Sequence, residues 1–257
     1  MVFMLNSKIG MDTTMSGIVR CSRYSFGPNR LHYCGPDANK ELQSLIEYGE
    51  ATPDLSVLLQ QFKTLYPYLK YISRTNGIAE PFDSRVVEAY WLGNKLLETN
   101  KADKFHRFLI DDLDTKKKYN SREFERLEQK IGLGAVPHHS FHVLNVWQKT
   151  GHTDRLDEVE RMDQCIINSG KVIKVSGPEI TVLIEPLIYL NGKLMLGQPI
   201  ERKIVRKLEV EYDIEQIKPG EIVSIHWGVP CEVITEAQAK TLKKYLLQNI
   251  AFANQTM

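Results

Sequence analysis

Apolar residues recur at helical spacing through the first half of this chain and alternate with polar ones in its last third. Thr52 suits a helix cap and Pro53 a first helical position, and behind them Leu55, Leu58, Leu59, Phe62 and Leu65 fall on one face. Asp83 reads as the cap of a second helix, with Val86, Val87, Tyr90, Trp91 and the Leu96–Leu97 pair on its buried side. Asn120 with Glu123 has the pattern of a capping box for SREFERLEQKIG, which Gly132 can end. A further helix is expected from Pro137 to Lys149, with Gly151 behind it. Residues 38–150 are therefore expected to be mainly α.

After QKTGHTDRLDEVERMDQ, a charged stretch suited to a linker or short helix, the period shortens to two. KVIKV alternates, EITVLIEPLIYL is β-branched, Asn191-Gly192 is a strong hairpin-turn signal, and KLMLG returns from it. IERKIVRKLEVEY alternates again, and Pro219-Gly220 turns the chain into EIVSIHWG. Thr235 with Gln238 then caps a helix carrying Ala239, Leu242, Leu246 and Ile250 at helical spacing. Several short strands closed by a helix predict a small barrel of the OB type. The expected fold class is α+β: a loose extension over 1–20, a helical domain over 21–155, and a barrel with its C-terminal helix over 162–257.

Composition narrows the function classes. The 257 residues suffice for a full core, and 42% apolar with 25% charged residues is the balance of a soluble globular protein. A net charge of +1 supplies no electrostatic case for nucleic acid or an anionic membrane as partner. No apolar run approaches the roughly 20 residues of a membrane span, and the first residues lack the pattern of a secretory signal, so a cytoplasmic protein is expected. Cys21, Cys34, Cys165 and Cys231 are far apart and form no CxxC pair, so apolar filling or ligation is expected before disulfides.

Three groups of residues carry candidate chemistry. In YSFGPNRLHYCGP, residues 24–36, the Gly, Pro and Asn content implies turns, and His32 with Cys34 is either part of a packed loop or an HxC chelate. In VPHHSFHVL, His138 and His142 are i,i+4 and His139 and His142 are i,i+3, spacings that present two imidazoles to one metal on a helix. No Glu follows in the HExxH manner, and the carboxylates of Glu80 and Glu88 are candidate partners. The same histidines serve equally as caps and stacking groups at a helix start. Cys165 and His226, taken alone, read as a strand thiol and a satisfied imidazole.

Their surroundings add a resemblance. Residues 165–175, CIINSGKVIKV, resemble the opening of the HypC-type (HupF-type) [NiFe]-hydrogenase maturation chaperones, with Cys165 and Gly170 at that motif's interval. Residues 219–229, PGEIVSIHWGV, resemble the same family's segment around its histidine, here His226, and TEAQAKTLKKYL its closing helix. The resemblance covers roughly residues 162–250. It implies that Cys165 and His226 hold an iron carrying cyanide and carbonyl ligands, and that the partners are hydrogenase maturation proteins or the hydrogenase large subunit. A soft thiolate and a borderline imidazole suit low-spin Fe(II). The chain departs from the family in three ways: Cys165 lies far from the N-terminus, Ser169 replaces a proline, and Cys231 adds a thiol as ligand or as filling. The first half resembles a family of uncharacterised prokaryotic proteins through LHYCGPD, EPFDSRVVEAYWLGN and PHHSFHVL, joined by HWGVPCEVIT and ANQ near the C-terminus. The expectation is an accessory protein that binds iron through Cys165 and His226 for delivery rather than turnover. The alternatives are a metal-dependent enzyme built on His138, His139 and His142 with Glu88 or Cys34, and a metal-free interaction scaffold.

Overall fold

Helix α1 (Leu5–Arg30) begins inside the stretch expected to be loose and continues through the Gly-Pro-Asn segment expected to turn. The computed structural model describes residues 5–37, 40, 52–147, 156–205 and 217–255. Proline inside a helix removes one N–H and crowds the carbonyl four residues back. Pro28 sits close enough to the C-terminal end of α1 for the helix to survive it, and the carbonyl it deprives, that of Tyr24, finds another donor. Gly17 lets α1 press against the segment before α4: a Cβ there would lie 1.8 Å from the Phe82 carbonyl oxygen.

Helix α2 (Pro53–Gln60) is capped by Thr52, whose hydroxyl accepts from the Leu55 N–H at 3.2 Å. The chain breaks before α3 (Leu65–Thr75) because Pro67 fits a first turn and not the middle of a continuous helix. Asp83 caps α4 (Ser84–Trp91), but Gly93 at φ +84° ends that run. Leu96 and Leu97 consequently lie in a separate 3-10 turn, Lys95–Thr99. Helix α5 (Ala102–Asp111) is followed, after one helical turn at Thr115–Lys118, by α6 (Ser121–Gly132), which has both bonds of the Asn120–Glu123 capping box. The expected helix over Pro137–Lys149 is built differently. His138 is an extended N-cap, His139–Phe141 is a single α turn, and His142–Trp147 is a π-helix.

Helix α7 (Leu156–Cys165) leads into β1 (Asn168–Ser176), β2 (Glu179–Ile184), β3 (Leu187–Leu190), β4 (Lys193–Leu196), β5 (Ile200–Val205), β6 (Ile222–His226), β7 (Val229–Ile234) and α8 (Glu236–Asn254). Five strands form an antiparallel sheet in the order β5-β2-β1-β6-β7, and β3 with β4 makes a separate hairpin. Among the described residues no closed OB-type barrel is formed, and β5 and β7 stand at the ends of the strand order. Pro186 interrupts EITVLIEPLIYL, so β3 leaves the sheet and packs with α7 and α8 instead. Asn191 and Gly192 turn the β3–β4 hairpin with φ of +52° and +79°, as a type I′ turn requires. Strand β7 was hidden in a stretch that reads as a tail after HWG. It exists because Trp227 and Gly228, at φ +51° and +70°, make a second such turn. The charged residues 148–155 and the second half of the IERKIVRKLEVEY stretch lie outside the described residues.

The helical and β parts share a core. Ile167, Cys231, Ile234 and Tyr245 belong to the same buried cluster as Tyr24, Leu92, Phe105 and Leu127. Among the described residues no helix is long and apolar enough to cross a membrane. Because the buried cluster spans both parts, they lose their packing together. Urea unfolding followed by far-UV circular dichroism and by tryptophan fluorescence is expected to give coincident single transitions; two separated midpoints would show that the parts fold independently.

Candidate metal centre

The site is built on the carbonyl that Pro28 leaves free. An uninterrupted helix would pair Tyr24 C=O with the N–H of residue 28, which proline lacks. His226, the last residue of β6, donates its Nδ1–H to that oxygen at 2.6 Å. The approach is open because residue 27 is glycine; a Cβ there would lie 2.9 Å from the His226 carbonyl oxygen and 3.0 Å from Trp227 Cβ. With the proton held on Nδ1, the lone pair is on Nε2. That atom is buried and has no hydrogen-bond partner.

The β6–β7 turn then brings in Cys165. The Trp227 N–H donates to the Gln164 carbonyl at 2.8 Å, tying the turn to the end of α7. Pairing of β1 with β6 places Asn168 opposite Ile225, so the residues just before β1 lie beside His226. A tryptophan at positive φ is strained by about 1 kcal/mol or more. Its indole is buried and stacks on Tyr33 with ring centroids 4.2 Å apart. His139, in the short α turn, donates Nε2–H to the Cys165 carbonyl at 2.8 Å, while Tyr90 O–H faces its Nδ1 at 3.2 Å. Ligand atoms of His139, Cys165 and His226 all lie within 4.8 Å of one another. Ligand atoms of a tetrahedral thiolate–imidazole site, with bonds of about 2.0–2.3 Å, are only somewhat closer than that. For His139 to ligate, one of its two ring contacts, to the Cys165 carbonyl or to Tyr90 O–H, must give way to the ion. Trp91 backs the cluster, 4.5 Å from the His139 ring and 5.5 Å from that of His226.

Burial dominates the electrostatics. It pushes the Cys165 thiol up to about 12; neighbouring Cys34 adds to the rise and the Trp227 indole opposes it. Burial lowers His226 to about 4 against its bond to the Tyr24 carbonyl, and it lowers His139 strongly, with His226 adding to the effect. The imidazoles are thus neutral near pH 7, the form in which they bind metals. A bound cation reverses the thiol's preference and deprotonates it outright. A pocket of about 120 Å³ adjoins the cluster, walled also by Tyr33, Cys34, Phe62, Tyr90 and Trp227. The arrangement offers one soft and two borderline donors with space beside them, which suits a late first-row transition ion that keeps an exchangeable position.

The structure separates residues that sequence spacing grouped. Cys165 and His226 meet, and of the three clustered histidines only His139 joins them. His138 is buried as an N-cap, its Nδ1 accepting from Ser140, and stacks on Tyr245. His142 faces Tyr68 O–H at 3.3 Å and lines the pocket from another side. The extended backbone of His138 and the π register after it remove the helical i,i+4 geometry that would have paired them. His32 occupies the exposed turn after α1 at φ +57°, outside the cluster. Cys34 lines the pocket from the adjoining loop. Glu88 is held by Arg20 at 2.8 Å and by Gln238 at 3.1 Å, and Glu80 is exposed. Cys231 is core filling, its thiol turned to the Val229 carbonyl at 3.7 Å. Tyr90, Trp91, Trp227 and the Tyr24 carbonyl were not visible as site groups. FGPN followed 200 residues later by HWG holds the only local trace, and neither stretch names the other.

The buried histidines tie stability to pH. Burial holds His138 and His142 near 3 and His226 near 4, against 6.5 in the unfolded chain. Below about pH 6.5 the unfolded state takes up protons that the folded state refuses, so stability present above that pH is lost as pH falls toward 4. The urea midpoint is expected to be level from pH 8 to 7 and to drop from pH 6.5 to 5, above the range where Asp83, held low by Arg85, titrates. A midpoint that stays constant to pH 5 would contradict buried neutral imidazoles.

No curated protein and no solved structure matches the chain. The model of a family of unknown function, DUF6390, matches residues 13–257, which takes in most of α1, the helical part, the sheet and the C-terminal helix. The three cluster residues, the Tyr24 carbonyl and the loop bearing Cys34 all lie within that single match, and the chain belongs to the DUF6390 family.

Proposed function

We propose that this protein is an accessory factor of metal-centre assembly, of the kind that serves [NiFe]-hydrogenases, which holds an iron moiety through Cys165, His226 and His139 for delivery to a partner. The observation that carries the reading is His226 Nε2, a buried ring nitrogen with no partner, in a cluster with a thiol and a second imidazole. Leaving such an atom unsatisfied costs about 1–3 kcal/mol, a cost that a metal bond removes. The Nδ1–H bond to the Tyr24 carbonyl is the kind of outer contact that orients metal-binding histidines. Thiolate and imidazole suit Fe(II), and the adjoining pocket has space for diatomic ligands such as cyanide or carbonyl on the remaining positions. The likeness of CIINSGKVIKV and PGEIVSIHWGV to the hydrogenase chaperones supports iron as the cargo, with hydrogenase maturation proteins or the large subunit as receivers. His139 comes from outside the stretch that carries this likeness. Because the cluster is buried, release requires the Tyr33–Trp227 wall to part.

A second reading has its own support. Three protein donors beside a pocket are also the pattern of a catalytic metal site, where the open position takes water or substrate. In that reading the enzyme is centred on His139 with Cys165 and His226.

Protein purified anaerobically from a host that also makes a [NiFe]-hydrogenase is expected to contain iron and to show infrared bands of metal-bound cyanide or carbonyl. Both should vanish in Cys165→Ala and His226→Ala and persist in His138→Ala. Full metal retention in the first two variants would sink the centre, and metal without those bands would favour the enzyme. A second outcome tests the origin of the geometry. Pro28→Ala supplies the missing helical N–H to the Tyr24 carbonyl in competition with His226, and is expected to weaken metal affinity by about 10- to 100-fold while helix content stays the same. An unchanged affinity would remove Pro28 from the design of the site.

A further inference from the structure

We infer that Cys34 is the fourth ligand of this centre, so that a bound divalent ion fastens the Leu31–Asp37 loop to the pocket. The inference rests on the metal-centre reading and adds to it a ligand and a coordination number. Cys34 lines the same pocket as Cys165, His139 and His226, and no other side chain on that outer wall is a soft donor. Its sulfur is not among the three ligand atoms within 4.8 Å of one another, so ligation requires the side chain to rotate or the loop to shift inward.

The loop is held in a way that allows this. Asn29 Nδ2 donates to the Cys34 carbonyl at 2.9 Å and to the Pro36 carbonyl at 3.0 Å, which fixes the backbone of the bend, so ligation falls to rotation of the Cys34 side chain. Tyr33 is tied to the end of α1 through its N–H on the Pro28 carbonyl at 2.9 Å, and its ring stacks on Trp227. Gly35, at φ +92°, gives the bend a conformation that other residues resist. The residue carrying the thiol is exposed, so the ligand arrives from the solvent side while the other three stay buried or half-buried.

Charge gives the reason for a second thiolate. One thiolate and two neutral imidazoles around a divalent ion leave a net positive charge in a pocket walled by Phe62, Tyr90 and Trp91. Uncompensated charge away from water is expensive, and a thiolate from Cys34 brings the centre to neutrality. On binding, each thiol loses its proton to solvent and forms one sulfur–metal bond, and no oxidant or reductant takes part. Entry of an anionic ligand on the metal would supply the same negative charge and make Cys34 dispensable.

Cobalt(II) added anaerobically to the metal-free full chain reads the thiolate count through sulfur-to-metal charge-transfer absorption. Wild type is expected to show a four-coordinate spectrum, with the charge-transfer band reduced to about half in Cys34→Ala because one of two thiolates is lost. Alkylation of Cys34 by iodoacetamide, read by mass spectrometry, is expected to slow about tenfold or more when cobalt is present, since a ligating sulfur is no longer a free nucleophile. Full band intensity in Cys34→Ala, or unchanged Cys34 alkylation, would overturn the fourth ligand while leaving the three-residue centre standing. Absence of any cobalt binding by wild type would overturn both. Cys34→Ala is an exposed loop change, and an unaltered circular dichroism spectrum separates loss of a ligand from loss of fold.

Discussion

The hydrogen bond from His226 Nδ1 to the Tyr24 carbonyl is the contact on which the arrangement of this molecule depends. It exists because proline at position 28 denies that carbonyl its helical donor, and it is reachable because position 27 has no side chain. One local defect in a helix thus becomes an anchor for a strand end from the far side of the chain. The anchor decides which ring nitrogen of His226 carries the proton, and so which one faces the pocket with its lone pair. Near it, the Arg20 guanidinium joins Glu88 to Glu232, and Tyr24 O–H donates to Glu232 at 2.6 Å, so the same face of α1 binds both the helical part and β7.

Much of the scaffold was legible from pattern, and the reasons for success and failure are specific. Caps at Thr52, Asp83, Asn120 and Thr235 were readable because capping is local chemistry between residues two or three apart. Asn191-Gly192 was readable because its turn needs positive φ at both positions. The closed barrel failed because strand count does not reveal edge closure, and Pro186 diverts two of the strands elsewhere. The continuation of α1 through Gly27-Pro28 failed because tertiary contacts there outweigh the intrinsic preference of those residues. Strand β7 was missed because its turn begins with tryptophan, a residue no turn preference would select.

For the candidate site, Cys165 and His226 stood out from the resemblance, and β1–β6 pairing gives their meeting a plain cause. His139 was one of three histidines that spacing alone could not rank. Its role depends on a helix that is α for one turn and π for the next, a choice made by packing against α8 and the β3–β4 hairpin rather than by the sequence around it. Aromatic neighbours are invisible for the same reason. Trp91 reads as one more apolar position on α4, yet it touches both candidate imidazoles.

The two ends of the anchoring hydrogen bond are separated by 202 residues in the chain, and the Cys165–His139 contact by 26. Closing loops of this length costs conformational entropy before the contacts reward it. During synthesis the Tyr24 carbonyl, His139 and Cys165 all emerge well before β6 and β7. The thiol and the first imidazole therefore spend that interval without their third companion. Only a chain completed through the β6–β7 turn brings His226 beside Cys165 and His139.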